Sequence, residues 1–257
     1  MPATPRRLTF GANADAYERA RPAWPEEAAR WLVPDGARFV VELGAGTGKL
    51  TRALAALGVR VLAVEPDPRM LAVLRERGLD GVEGSAEAIP VGDGEADAVV
   101  AGSSFHWFEL AAALREAHRV LRPGGRLAFG WNHRDPAAPG MDRFARAIEA
   151  ARGGQSRWGD RPWPELVARG DLFGAVERRR FPHVHELPRE ALADHLRSYA
   201  TLAERPEAVQ RELLAAVERI VDEEPALRRG GTLTLPFVVD AYRARVTRVG
   251  RAGFPSP

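Results

Sequence analysis

The sequence predicts a doubly wound α/β fold built on a mostly parallel sheet. Three observations lead there. Apolar β-type runs alternate with amphipathic helical stretches between residues 39 and 131, at the spacing of right-handed βαβ units. The runs are nearly continuous, as strands covered by helices on both faces require. A glycine-rich turn joins the first strand to its helix, at the strand end where open α/β sheets bind ligands.

Residues 13–32 read as two short helices. Asn13 or Asp15 caps the first, Arg21-Pro22 breaks it, and Pro25 suits the start of the second. Strands are expected at Phe39–Leu43, Val59–Val64, Ala96–Ala101 and Arg126–Trp131, with a weaker one at Val82-Glu83. Helices are expected at Lys49–Leu57, Pro68–Arg77 and Leu110–Val120. Leu110, Leu114, Ala117, Val120 and Leu121 share one helical face. Arg122-Pro123-Gly124-Gly125 ends that helix and turns tightly into the next strand. After residue 131 the pattern loosens. Residues 132–164 read as a loop with one helix near Met141–Ala151. A strand at Ala175–Phe181, helices at Glu190–Tyr199 and Glu207–Val221, and a final strand at Thr232–Val239 follow. Residues 183–230 read as a helical insertion between two late strands.

A chain of 257 residues buries about 70–75% of its unfolded surface and needs no disulfide or metal staple. With 45% hydrophobic and 28% charged residues, the composition excludes a wholly disordered chain. No apolar run approaches the ~18–20 residues of a membrane span. The N-terminus lacks the apolar core of about 7–15 residues that marks a secretory signal. There is no cysteine, which excludes disulfides, zinc–thiolate sites and thiol nucleophiles and fits a cytoplasmic location. The 37 cations nearly balance 35 anions and are scattered among them. The short runs Arg178–Arg180 and Arg228–Arg229 read as solvated surface. Neither a nucleic acid nor a membrane is therefore an expected partner. Lys49 is the only lysine, and the arginine excess reads as a compositional bias.

The most informative segment runs Val40-Val41-Glu42-Leu43-Gly44-Ala45-Gly46-Thr47-Gly48-Lys49-Leu50. A Walker A phosphate loop is excluded: with its last glycine on Gly48, Leu43 falls on the first glycine and Leu50 on the magnesium-binding hydroxyl. The dinucleotide fingerprint GxGxxG fails too, because its third glycine falls on Lys49 or Thr51.

What remains is the pattern Glu42, Gly44, Gly46, Gly48. It resembles the first motif of class I S-adenosylmethionine (AdoMet)-dependent methyltransferases, of the small-molecule, methyltransferase-domain-11 type. The resemblance continues along the chain. Val61-Leu62-Ala63-Val64-Glu65-Pro66-Asp67 is a second strand ending in an acid, and Glu65 lies 21 residues after Gly44. At that separation a carboxylate reaches ribose hydroxyls. Gly84-Ser85-Ala86-Glu87-Ala88-Ile89-Pro90 is similar to the family segment bordering the adenine amine. Ser85 stands where many relatives carry Asp, which leaves that contact to the backbone and Glu87. Ala98–Trp107 resembles the fourth-strand motif, and Glu116–Gly125 the turn after the following helix. Phe10-Gly11, Tyr17 and Arg21-Pro22 are similar to an N-terminal helical cap.

The resemblance implies a Rossmann-like sheet of seven strands with an antiparallel last strand. It implies a single domain, 1–257, with a helical cap (1–35), an AdoMet-binding core (36–131) and a substrate-side half (132–257). The implied cofactor contacts are Arg21, Glu42, Gly44, Ala45, Gly46, Gly48, Glu65, Pro66, Met70, Ser85, Ala86, Glu87 and Ser103. Met70 packs on the adenine, and Tyr17 or Arg21 meets the methionine carboxylate. For Glu42, two roles stay open: holding the glycine-loop backbone, or contacting the cofactor's amino group.

Methyl transfer is an in-line displacement for which the cofactor supplies the reactive group and the protein supplies alignment. No metal is expected, and the product is S-adenosylhomocysteine. His106, just past the fourth strand, is the candidate base or substrate contact, since imidazole titrates near pH 6.5. Tyr17, Phe105, Trp107 and Trp131 are the candidate substrate pocket, with Phe108 beside them and Trp158 and Trp163 as lid candidates. His183 and His185 share one strand face with no third ligand in place. His118 and His133 read as structural and as a further candidate, respectively. The expected partner is a small molecule bound by a monomer or homodimer. The competing readings are a nucleic-acid or protein methyltransferase on the same fold, a non-catalytic AdoMet-binding module, and a nicotinamide oxidoreductase. Against the first, Ala101-Gly102-Ser103-Ser104-Phe105 lacks the [ND]PP[YF] of amino-methylating DNA enzymes.

Overall fold

The structure, a computed structural model, describes residues 18, 20–152, 161–169, 171–199, 202 and 205–247. The expectations for Phe10, Gly11, Asn13, Asp15, Tyr17 and Trp158 fall outside these residues. The chain divides into two compact units. One, the glycine-loop unit, takes residues 24–131, 158–181 and 240–257. The other, the helical unit, takes 1–23, 132–157 and 182–239.

Eight strands are described: β1 (Phe39–Leu43), β2 (Arg60–Glu65), β3 (Gly81–Glu83), β4 (Ala96–Gly102), β5 (Leu121–Arg134), β6 (Glu177–Pro188), β7 (Arg228–Arg229) and β8 (Thr232–Arg245). They form one sheet in the order β3-β2-β1-β4-β5-β8-β6, with β7 paired to β8. The pairs β1–β2, β1–β4, β2–β3 and β4–β5 are parallel, and antiparallel strands lie at the C-terminal side. From β1 the chain moves outward to β2 and β3, then returns to place β4 on the other flank of β1. The strand order therefore reverses between β1 and β4, and such a switch point opens a crevice at the strands' C-terminal ends.

The helices of the glycine-loop unit are α1 (Glu26–Leu32), α2 (Lys49–Ala55), α3 (Pro68–Glu76), α4 (Leu110–Val120) and α6 (Trp163–Ala168). Asp67 caps α3 by accepting the Arg69 N–H at 2.9 Å, with Pro68 behind it, where a missing N–H costs nothing. Helix α4 buries Ala113, Leu114, Ala117 and Val120 on one face, as the sequence spacing requires. At the N-terminal ends of the strands, opposite the glycine loop, buried Asp97 is the second residue of β4. Its carboxylate accepts the Arg38 and Phe39 N–H groups at 2.6 and 2.8 Å and pairs with Arg122 at 2.6 Å, tying the starts of β1, β4 and β5.

The helical unit holds α5 (Met141–Arg152), α7 (Leu192–Arg197) and α8 (Glu207–Glu223). Met141, Phe144, Ile148, Leu213, Val217 and Phe237 form its core.

Several boundaries shift by a residue or two, and three departures from expectation are structural. Residues 183–188 continue β6, so the helical insertion starts later than residue 183. Burial alternates along this stretch, with Phe181, His185 and Leu187 inside and Pro182, Val184 and Glu186 outside. Histidines at inward positions hide the period of two. Pro182 interrupts no ladder because β6 is the edge strand. Strand β8 runs to Arg245, past the expected end at Val239. Asp240 carries it on, buried against Arg178 at 2.7 Å. Finally, the Arg122–Gly125 turn is absorbed into β5 as an irregularity: the register with β4 shifts between Ala96 and Ala98, and Gly124 takes φ +80°.

Candidate cofactor and acceptor site

The glycine loop leaves β1 at the switch point. Gly44, Gly46 and Gly48 have φ of +65°, +59° and +87°, a region that costs other residues about 1–2 kcal/mol. Their surroundings differ. A Cβ on Gly44 would lie 2.7 Å from the Ser104 Cβ, and one on Gly48 would lie 2.5 Å from a Leu79 methyl. A Cβ on Gly46 would meet nothing within 4 Å. Two of the glycines thus let neighbouring side chains pack on the loop, and the third keeps backbone open to an approaching ligand.

Three buried acids surround the loop. Glu65, at the end of β2, accepts the Gly46 N–H at 2.7 Å on one oxygen and the Asp67 N–H at 2.9 Å on the other. A carboxylate offers about four lone-pair sites, so two remain for further donors. Burial raises the pKa of Glu65 against the pull of those two N–H groups. Asp67 also holds the Arg69 guanidinium, at 3.1 Å. Glu42 accepts the Thr51 hydroxyl at 2.6 Å. Its partner is therefore a side chain of α2 and not the loop backbone. Burial foremost pushes Glu42 up to about 8, opposed by the Thr51 bond and helped by the charge of Glu65.

The Ser85–Glu87 segment is fixed from below. Ser85 and Ala88 form an isolated bridge, Ala86 is buried, and Glu87 accepts the Glu109 N–H at 2.9 Å. Arg119 donates to the carbonyls of Val91 and Ile89 at 2.9 and 3.0 Å while pairing with Asp93 and Glu116, both at 2.7 Å. Glu116 in turn accepts the Ile89 N–H at 2.9 Å. The Glu116-x-x-Arg119 spacing thus clamps the end of the expected adenine segment, at Ile89, and the loop that follows it. Met70 and Ala45 are buried, and Pro66 is partly exposed.

The segment after β4 is fastened at both sides. Ser103, with φ +58°, donates its N–H to Gly130 at 2.7 Å. The Ser104 hydroxyl donates to Leu43 at 2.7 Å. A left-handed Ser is uncommon and concentrates at functional turns. A 3-10 turn, Phe105–Trp107, follows. Phe105 is enclosed: its ring stacks on Phe129 at 4.2 Å with planes 5° apart. Trp131 is enclosed as well, tilted 5.4 Å from Trp163. Both serve the core of the unit, whereas Trp107 is partly exposed. His106 lies beside Trp107 at 4.7 Å, and its Nδ1 accepts the Trp131 indole N–H at 3.2 Å. Burial foremost, with the charge of Arg161, lowers His106 to about 4.

All expected contacts from Glu42 to Trp131 belong to the glycine-loop unit. Arg21 belongs to the helical unit, where its guanidinium donates to the Ser198 carbonyl at 3.3 Å and lies 3.7 Å over the Tyr199 ring. In the same unit, His185 and His195 both donate to the Ala20 carbonyl, at 3.0 and 2.7 Å, and His183 donates to Asn132 at 2.9 Å. His133 Nδ1 lies 2.9 Å from the Arg134 carbonyl. His118, in α4, packs edge-on against Phe173. No group of three metal-ligating side chains occurs among the described residues. Thr51, Ser104, Glu116, Arg119 and Asp97 were not anticipated as individual contributors. Only the Glu116–Arg119 spacing carried a signal, through the family resemblance.

The profile of a methyltransferase-domain family matches residues 41–129, from within β1 to within β5. An uncharacterized methyltransferase of Mycobacterium tuberculosis is 39% identical over 239 residues, covering 92% of this chain and 95% of that one. The chain belongs to the class I AdoMet-dependent methyltransferases. An uncharacterized methyltransferase-like protein of Schizosaccharomyces pombe is 32% identical over 241 residues, covering 91% and 94%. Among solved structures, one from Anaeromyxobacter dehalogenans has the same fold, with a TM-score of 0.66 at 18% identity over 88% of this chain and 97% of that one. In this methyltransferase, the open face of Gly46, the acids of β1 and β2 and the turn after β4 all lie within the residues 41–129 that the family profile matches.

Proposed function

We propose that this methyltransferase uses AdoMet as donor and transfers its methyl group to a small-molecule acceptor by in-line displacement. The observation that carries the reading is the pairing of Gly46 and Glu65. The loop leaves a left-handed backbone position open, and a buried carboxylate bonded to that position keeps two lone-pair sites for donors such as ribose hydroxyls. AdoMet supplies an electrophilic methyl carbon. Glu65 would hold the ribose, Met70 and the Ser85–Glu87 segment would border the adenine, and the backbone at Gly46 would border the methionine end. Glu42 stands ready for the ammonium of that end: an adjacent cation favours its ionised form, which burial alone disfavours. The balanced, scattered charge supports a small molecule over a nucleic acid as acceptor. The absence of cysteine fits action in the cytoplasm.

Calorimetric titration with AdoMet and S-adenosylhomocysteine tests the reading. Saturable binding of both near one per chain, with none for NADH, is expected. A folded protein that binds neither refutes it.

A further inference from the structure

We infer that His106 is a hydrogen-bond donor, that it works with Arg161, and that together they select an acceptor arriving as a carboxylate. The inference rests on the methyltransferase reading and names its substrate class. An indole N–H only donates, so the Trp131 bond at 3.2 Å uses the lone pair of His106 Nδ1. In a neutral imidazole the proton must then sit on Nε2. No described residue bonds Nε2. The side chain therefore presents an N–H outward, and its one lone pair is committed inward. A base needs the opposite arrangement.

Arg161 adds charge of the matching sign. Its guanidinium lies 4.5 Å over Trp163, which is 5.4 Å from Trp131, and its field reaches His106. Among the described residues it has no carboxylate partner. A neutral N–H donor within the field of a guanidinium that has no carboxylate partner among the described residues suits an oxyanion with two oxygens, one held and one free to attack. For a carboxylate the step balances without a base. One oxygen lone pair forms the bond to the methyl carbon, the carbon–sulfur bond breaks, and its pair stays on sulfur. No proton leaves.

Two measurements decide it. In the first, nitrogen NMR of histidine-labelled protein reads the tautomer. We expect Nε2–H for His106 and no titration between about pH 5 and pH 8. A proton on Nδ1, or titration in that range, overturns the inference whether or not an acceptor is known. In the second, labelled methyl transfer from AdoMet is compared across mono- and dicarboxylic acids and the alcohols, phenols and amines of the same skeletons. Label released as methanol by alkali marks a methyl ester and is expected. Alkali-stable label, or no transfer to any acid, overturns it. For an acid that is methylated, Arg161→Gln and His106→Leu should each raise KM about tenfold or more, as losing a charged hydrogen bond does. Arg161 is exposed, so its variant keeps the fold. S-adenosylhomocysteine affinity should stay unchanged in both variants. If that affinity falls with KM, the donors face the cofactor's own carboxylate and the inference fails. Wild-type protein that binds no S-adenosylhomocysteine would instead remove the methyltransferase reading.

Discussion

Glu42 makes the stability of this protein depend on pH in a direction opposite to that of an ordinary paired carboxylate. Burial raises its folded pKa to about 8, against 4.5 for an ordinary glutamate carboxyl. A raised folded pKa means that the native state binds the proton more tightly than the unfolded chain. The resulting stability is fully present below pH 4.5 and is lost as pH rises through about 8. Each pH unit inside that window is worth about 1.4 kcal/mol. From pH 6 to pH 8 the wild type should therefore lose about 2 kcal/mol through this one group. Glu42→Gln keeps an acceptor for the Thr51 hydroxyl and removes the titration. Urea unfolding of both proteins at the two pH values measures the difference directly. The variant should gain about 2 kcal/mol relative to wild type between pH 6 and pH 8. Parallel pH dependences would show that Glu42 does not carry a shifted proton, and would refute the argument from burial.

The remaining predictions concern the loop and its supports. Gly46→Ala should cost only the left-handed backbone penalty of about 1–2 kcal/mol yet abolish S-adenosylhomocysteine binding, because nothing but a ligand meets the new methyl. Gly48→Ala should cost about 2–4 kcal/mol, since its methyl also drives into Leu79. Equal stabilities for the two, measured by denaturation, would contradict the distinction. Glu65→Ala should weaken AdoMet binding by about 1.5–3 kcal/mol in calorimetry; unchanged affinity in a folded variant would remove Glu65 from the site. Asp97→Ala strands two backbone N–H groups and one guanidinium far from the glycine loop. It should lower stability by about 2–4 kcal/mol while binding survives at low temperature.

Legibility in the sequence followed the range of the interactions. β1 and α4 begin and end where their apolar residues do, because burial of an uninterrupted run or a single face is a local pattern. The end of β6 was hidden because His183 and His185 occupy inward positions. What satisfies them is Asn132 and the Ala20 carbonyl, 51 and 165 residues away in the chain. Histidine buried as a donor to a backbone carbonyl is apolar in its packing and polar in its composition, so periodicity misreads it. The site divides in the same way. The Glu42–Gly48 spacing was readable because a turn at a strand end is local. The division of labour among its glycines was not, since it depends on Ser104 and Leu79 arriving from elsewhere. His106 shows the same limit most sharply. Its position past β4 was enough to nominate it, but its chemistry is decided by an indole 25 residues on, which takes the lone pair a base would need. A motif can therefore locate a titratable group at a site, while the hydrogen bond on its far side determines whether that group gives or takes a proton.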